Sequence, residues 1–98
     1  MTKHTPGPWA VNDGQEVVAD DGAGTRLLCR CHAGHYEERS ANARLIAAAP
    51  DLLAALKVAL EYQGAVNEAL PDGYAPPKLV DAWMTEAEAA IARAEGRE

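Results

Sequence analysis

The chain is predicted to be α+β: a short three-stranded antiparallel meander packed on a helix, followed by an antiparallel helical hairpin. Three observations predict this. Short alternating runs separated by Gly-rich turns fill residues 1–35, and from about Tyr36 the apolar period becomes helical. Two later apolar stripes with steps of three and four flank one Pro-rich loop, Pro71 to Pro77. One domain over residues 1–98 is expected, with 1–35 the meander and 36–98 the helical part, because autonomous domains cluster near ~100–150 residues.

Pro6 and Pro8 fix φ and restrict Thr5 and Gly7, so His4 to Pro8 is an extended lead. Trp9-Ala10-Val11 alternates large and small as a first strand. Asn12-Asp13-Gly14 is the strongest hairpin signal in the chain, since Gly takes φ > 0 freely. Glu16 to Ala19 reads as the second strand, Asp20 to Gly24 as another turn, and Thr25 to Cys31 as the third strand. Gly34 closes this region.

A helix is predicted from Tyr36, with Glu37 and Glu38 suiting its first turn and Ser40 as the other candidate start. Pro50 lacks the N–H that would bond the Ile46 carbonyl, yet Pro-Asp is good chemistry for a first helical turn. Two helices meeting near Ala49 and Pro50, or one kinked helix, are therefore expected. Leu52, Leu56, Ala59, Gln63, Val66 and Leu70 form one stripe, and Gly64 is a candidate early stop. Pro77 is placed at the start of the last helix, with Val80, Met84, Ala87, Ile91 and Ala94 as its stripe. The predicted core is Trp9, Val11, Val17, Leu27, Cys29 and Cys31 in the meander. Leu45, Ile46, Leu52, Leu53, Leu56, Leu60, Val80, Trp83, Met84 and Ile91 complete it in the helices.

Composition narrows the function classes. The chain is 48% hydrophobic and 24% charged, with no Phe, a globular profile that speaks against disorder and a multi-domain enzyme. No apolar run approaches the ~18 residues of a membrane span, and the N-terminal residues lack the apolar core of a signal peptide. Two cysteines two positions apart pair only under strain, so reduced thiols in a cytoplasm are expected. Net charge is −6, which disfavours non-specific nucleic-acid binding. The exception is residues 26–44, net +2, flanked by segments of −3 and −5.

His4-Thr5-Pro6-Gly7-Pro8-Trp9 and Ala41-Asn42-Ala43-Arg44-Leu45-Ile46-Ala47-Ala48-Ala49-Pro50-Asp51-Leu52-Leu53 resemble a family of small tailed-phage and prophage proteins. The two blocks cover 19 of 98 positions. The resemblance implies a phage origin, and no activity. Cys29 to Tyr36 falls outside its pattern. Within the blocks, Trp9 can cover the face of the helix carrying Leu45 and Ile46; Asn42 and Arg44 are the polar members, read as a turn contact and a solvated charge.

Cys29, Cys31, His32 and His35 offer four possible zinc ligands in seven residues. Structural zinc sites use two separated knuckles, so buried strand cysteines with loop histidines are the favoured reading and no metal or cofactor is expected. A Cys–His nucleophile is formally available, with no acid or oxyanion donor to complete it. Asp20 and Asp21 lack the full calcium-loop pattern and read as turn residues. The candidate binding residues are Arg26, Arg30, His32, His35, Arg39 and Arg44, with Arg26 and Arg30 expected on one strand face because they are four apart. An acidic outer hairpin face (Asp81, Glu86, Glu88, Glu95) suits solubility or, less directly, nucleic-acid mimicry.

The functional expectation is a non-enzymatic phage accessory protein that binds a host protein in the host cytoplasm, with a counter-defence inhibitor such as an anti-CRISPR as the expected kind. The alternatives are a sequestering binder of an anionic nucleotide and a self-associating virion or lysogeny protein. A homodimer is expected, because Leu52, Leu53, Leu56 and Leu60 with Val80, Trp83, Met84 and Ile91 exceed what one hairpin hides. No membrane and no direct nucleic-acid partner are expected.

Overall fold

Strand β1 (Trp9–Asn12) turns through Asp13, Gly14 and Gln15 into β2 (Glu16–Asp20), and β3 (Thr25–Arg30) adds on the far side of β2. Both pairings are antiparallel. The computed structural model describes residues 3–20, 22–74 and 77–97; Asp21 of the second turn and Ala75-Pro76 of the predicted loop lie outside the described residues. Helices α1 (Tyr36–Ala47), α2 (Ala49–Glu68) and α3 (Lys78–Glu95) follow. The fold is α+β, a meander followed by three helices that include a helical pair.

Two compact units divide the chain, one from His4 to Leu52 and the other from Leu53 onward. In the first, the turn geometry follows the sequence closely. Asp13 and Gly14 have φ of 55° and 75°, in the left-handed region that Gly and Asp enter more readily than other residues. A Cβ on Gly14 would also meet the hydroxyl of Tyr36, an exposed ring that would have to swing aside. In the second turn the Gly22 N–H donates to Asp20 Oδ1 at 2.9 Å, the local side-chain bond that makes Asp a turn former.

Directly paired residues share a face, so Trp9 with Ala19 and Val11 with Val17 form one side of the sheet. Val17 and Ala19 are 0% and 2% exposed, as is Ala43 of α1 at 0%. Helix α1 packs on β1 and β2, so this is the covered side. Here the structure corrects the predicted core. Leu45 is 65% exposed and Ile46 36%; the helix turns Ala43 to the sheet instead, because a methyl side chain lets the two backbones approach closely. Leu27 and Leu52 are exposed as well.

Pro50 separates α1 from α2 by the expected means. The Ala48 N–H still donates to Arg44 O at 3.1 Å, and the Leu52 N–H donates to Ala48 O at 2.9 Å, so the proline sits in a first turn where its missing N–H costs nothing. The N-terminal lead reaches this point. A Cβ on Gly7 would lie 2.9 Å from Pro50 Cβ, so the two phage-like blocks touch at a position where only glycine fits. Trp9 Nε1 donates to Thr5 O at 3.1 Å, and the His4 ring meets the Trp9 ring edge-on at 6.1 Å.

In the second unit, Lys57 is ion-paired with Glu95 and Asn67 Nδ2 donates weakly to Met84 Sδ at 3.7 Å. Ten residues up α2 thus correspond to eleven back down α3, which makes the pair antiparallel. Helix α2 runs through Gly64 without stopping. Its sheltered side is Leu53, Leu56, Leu60, Gln63 and Asn67, with half-buried Leu70 just past its end, rotated slightly from the predicted stripe, so that Ala59 and Val66 stand exposed. On α3, Ala87 and Ile91 are buried, and half-buried Glu95 takes the inward place expected of Ala94 because Lys57 draws it in. No helix among the described residues is long and apolar enough to cross a membrane.

Candidate functional site

Strand β3 carries one more residue than its partner. Cys29 pairs with Val17 while Leu27 pairs with Val18, and the register shifts between them. Leu28 is therefore a β-bulge, and a bulge moves the residues beyond it to opposite sides of the sheet. Arg26 lies opposite Ala19 and Arg30 opposite Glu16, two residues three apart on β2. Arg26 and Arg30 consequently occupy opposite faces, contrary to the expectation from their four-residue spacing.

The side of the sheet away from Val17 and Ala19 carries a polar row across all three strands: Asn12, Glu16 and Arg30. Glu16 is buried at 9% exposure, which for a carboxylate demands a partner. Arg30 supplies it. Its Nε donates to Glu16 Oε2 at 2.9 Å, and Nη2 donates to the same oxygen. Asn12 Nδ2 donates to Oε1 at 3.4 Å. The Arg30 side chain remains 49% exposed, so the buried acid holds a guanidinium whose outer edge is free to meet something else. Next to it on the same face stand Val18 and Leu27, the latter 54% exposed.

The remaining candidates sit around this unit without converging on one point. His32 and His35 are exposed on the loop between β3 and α1, and His35 is the N-cap of α1 without a side-chain capping bond. Arg39 is half-buried one turn further on, and its Nε is buried with no hydrogen-bond partner among the described residues. Exposed Arg44 donates through Nη1 to Ser40 Oγ at 2.9 Å, within its own helix.

Cys29 and Cys31 are free thiols, both half-buried. The Cys31 N–H donates to Gln15 O at 2.8 Å, extending the ladder past β3. Burial pushes the Cys29 thiol above its ordinary value; the adjacent Cys31 adds to this by charge and a side-chain hydrogen bond, and the Val17 backbone opposes it. Among the described residues no three His, Cys, Asp or Glu side chains are placed to hold a metal ion. Sequence reasoning missed the Glu16–Arg30 pair. The only signal for it was opposite charge at the positions that the two turns bring into register.

A family model for Salmonella phage P22 protein Y8K6 matches the whole chain, residues 1–98. The chain belongs to that family. Membership makes it a phage protein, as the two resembling blocks imply. No curated protein and no solved structure matches it.

Proposed function

We propose that this member of the Y8K6 family is a non-enzymatic accessory protein that binds a host protein in the host cytoplasm, in the manner of a counter-defence inhibitor such as an anti-CRISPR. One observation carries the reading. A buried carboxylate, Glu16, fixes a half-exposed Arg30 beside Val18 and Leu27 on the same sheet face. Arg is enriched among the residues that carry interface binding energy, the buried centre of an interface is apolar, and a side chain already held in place loses less entropy on binding. Arg30 is the basic strand residue on this face, with Arg26 on the opposite one, so the partner surface should offer an acidic group to Arg30 beside an apolar centre.

The test is quantitative capture from host lysate with immobilised wild type, Leu27→Asp and Arg30→Ala. Leu27 is exposed, so its charge substitution should leave the fold intact, which a melting curve verifies. A host protein retained at physiological salt by wild type and lost with both variants supports the proposal. Equal retention by all three, or no retained protein, refutes it.

A further inference from the structure

Cys29 and Cys31 are nucleophilic groups outside the proposed host-binding face. Cys29 is paired with Val17, and the Cys31 N–H donates to Gln15 O at 2.8 Å, so the antiparallel register runs past the bulge to residue 31. Residues two apart on a strand share a face, and both thiols stand on the Val17 side, free and half-buried. They are close enough to share a side-chain hydrogen bond. At a rise of about 3.3 Å per residue, their Cα atoms are ~6.6 Å apart, near the upper end of the roughly 4.4–6.8 Å that a disulfide spans. Their Cβ atoms must approach to about 4 Å for that bond, so the strand has to pucker at Arg30 between them. The fold permits this. Strand β3 lies at the edge of the sheet. Since Cys31 turns its N–H toward Gln15, Arg30 belongs to the alternate set, whose N–H and C=O point away from β2. A bend at Arg30 sacrifices no ladder bond of that residue.

We propose that Cys29 and Cys31 form a reversible dithiol–disulfide site, closed by a low-molecular-weight disulfide such as oxidised glutathione and reopened by thiols. Burial holds the proton on Cys29 more firmly than on an ordinary cysteine, so the first attack falls to Cys31, just past the end of β3. The Cys31 thiol loses its proton and its sulfur bonds one sulfur of the glutathione disulfide; the other sulfur leaves as a thiolate and takes up a proton. Cys29 then gives up its proton, its sulfur attacks Cys31 Sγ, and the second glutathione leaves as a thiol. Two protein thiols are oxidised and one glutathione disulfide is reduced to two thiols. Strained disulfides are the readily reduced ones, so this bond opens in a reducing pool and closes where disulfide predominates. Closing it bends the strand at Arg30, the residue that Glu16 holds. The site itself does not depend on the host-binding reading.

Intact-mass analysis tests it on the folded full chain, equilibrated in glutathione buffers from fully reduced to fully oxidised, then quenched and alkylated in urea. Reduced buffer should give a chain alkylated twice. Oxidised buffer should give a single chain lighter by two hydrogens, with neither alkylation nor glutathione adduct, and dithiothreitol should restore both alkylations. Half-closure should require oxidised glutathione in excess over reduced. Cys29→Ser and, separately, Cys31→Ser should each stop at one glutathione adduct. The proposal is overturned by glutathione adducts that persist on wild type, by a disulfide between two chains, or by two alkylations in fully oxidised buffer. Closure in mostly reduced buffer would overturn it too.

Discussion

Removing Arg30 should destabilise the sheet unit more than its own half-exposed position suggests. In Arg30→Ala the Glu16 carboxylate, 9% exposed, loses both guanidinium bonds and, among the described residues, keeps the long 3.4 Å contact from Asn12. Leaving a buried polar group unsatisfied costs about 1–3 kcal/mol, and a charged one more. The 3–5 kcal/mol typical of a fully buried pair does not apply, since Arg30 is 49% exposed and water can follow into the space it vacates. A cost of about 2 kcal/mol lowers Tm by roughly 8–16 °C for a domain of this size. Glu16→Gln should cost less, about 1 kcal/mol, because the freed guanidinium can swing into solvent. The double variant should then be less damaged than the two singles together, with a coupling of about 1 kcal/mol or more. Urea unfolding of the four proteins, followed by circular dichroism, measures the cycle. Additivity within ~0.3 kcal/mol would refute the claim that Glu16 fixes Arg30.

Two further outcomes test other parts of the structure. Gly7→Ala places a Cβ 2.9 Å from Pro50 Cβ and should lower the melting temperature, whereas Ala substitution at Gly64, in the interior of α2 with open space around it, should raise it through helix propensity; thermal melts of both variants decide. The Glu95 carboxyl is held below its ordinary value, chiefly by its bond to Lys57. A depressed carboxyl adds stability that is complete above its unfolded value of about 4.3 and is lost as pH falls through the folded one. Wild type and Lys57→Met should therefore differ in melting temperature at pH 7 and converge toward pH 3; curves parallel across that range would contradict the pair.

What the sequence disclosed, and what it hid, follows from where the information is local. Asn12-Asp13-Gly14, Pro50 and Pro77 act on the backbone within a residue or two, and the strands and helices begin and end where these residues say. The bulge at Leu28 was illegible because Leu27-Leu28-Cys29 is apolar throughout, so no alternation marks the extra residue, and both Arg faces depend on it. The choice of Ala43 over Leu45 and Ile46 was hidden for a similar reason. Hydrophobicity ranks the larger side chains first, while close approach of helix to sheet favours the smaller one. On α2 the apolar residues surround more than half the helix, so periodicity could not fix which of two stripes faces α3. The candidate basic residues were visible as a charge window, but their separation into an anchored Arg30, an intrahelical Arg44 and a half-buried Arg39 belongs to tertiary structure.

Site-specific photo-crosslinking tests the proposed host contact most directly. A photoreactive amino acid replaces Leu27, on the sheet face beside Arg30, and in a second protein replaces Leu45, exposed on α1. Irradiation in host lysate should yield one discrete host adduct from position 27, absent from position 45 and abolished by adding Arg30→Ala. An adduct formed equally at both positions, or none at position 27, would contradict a host-binding role for the Arg30 face.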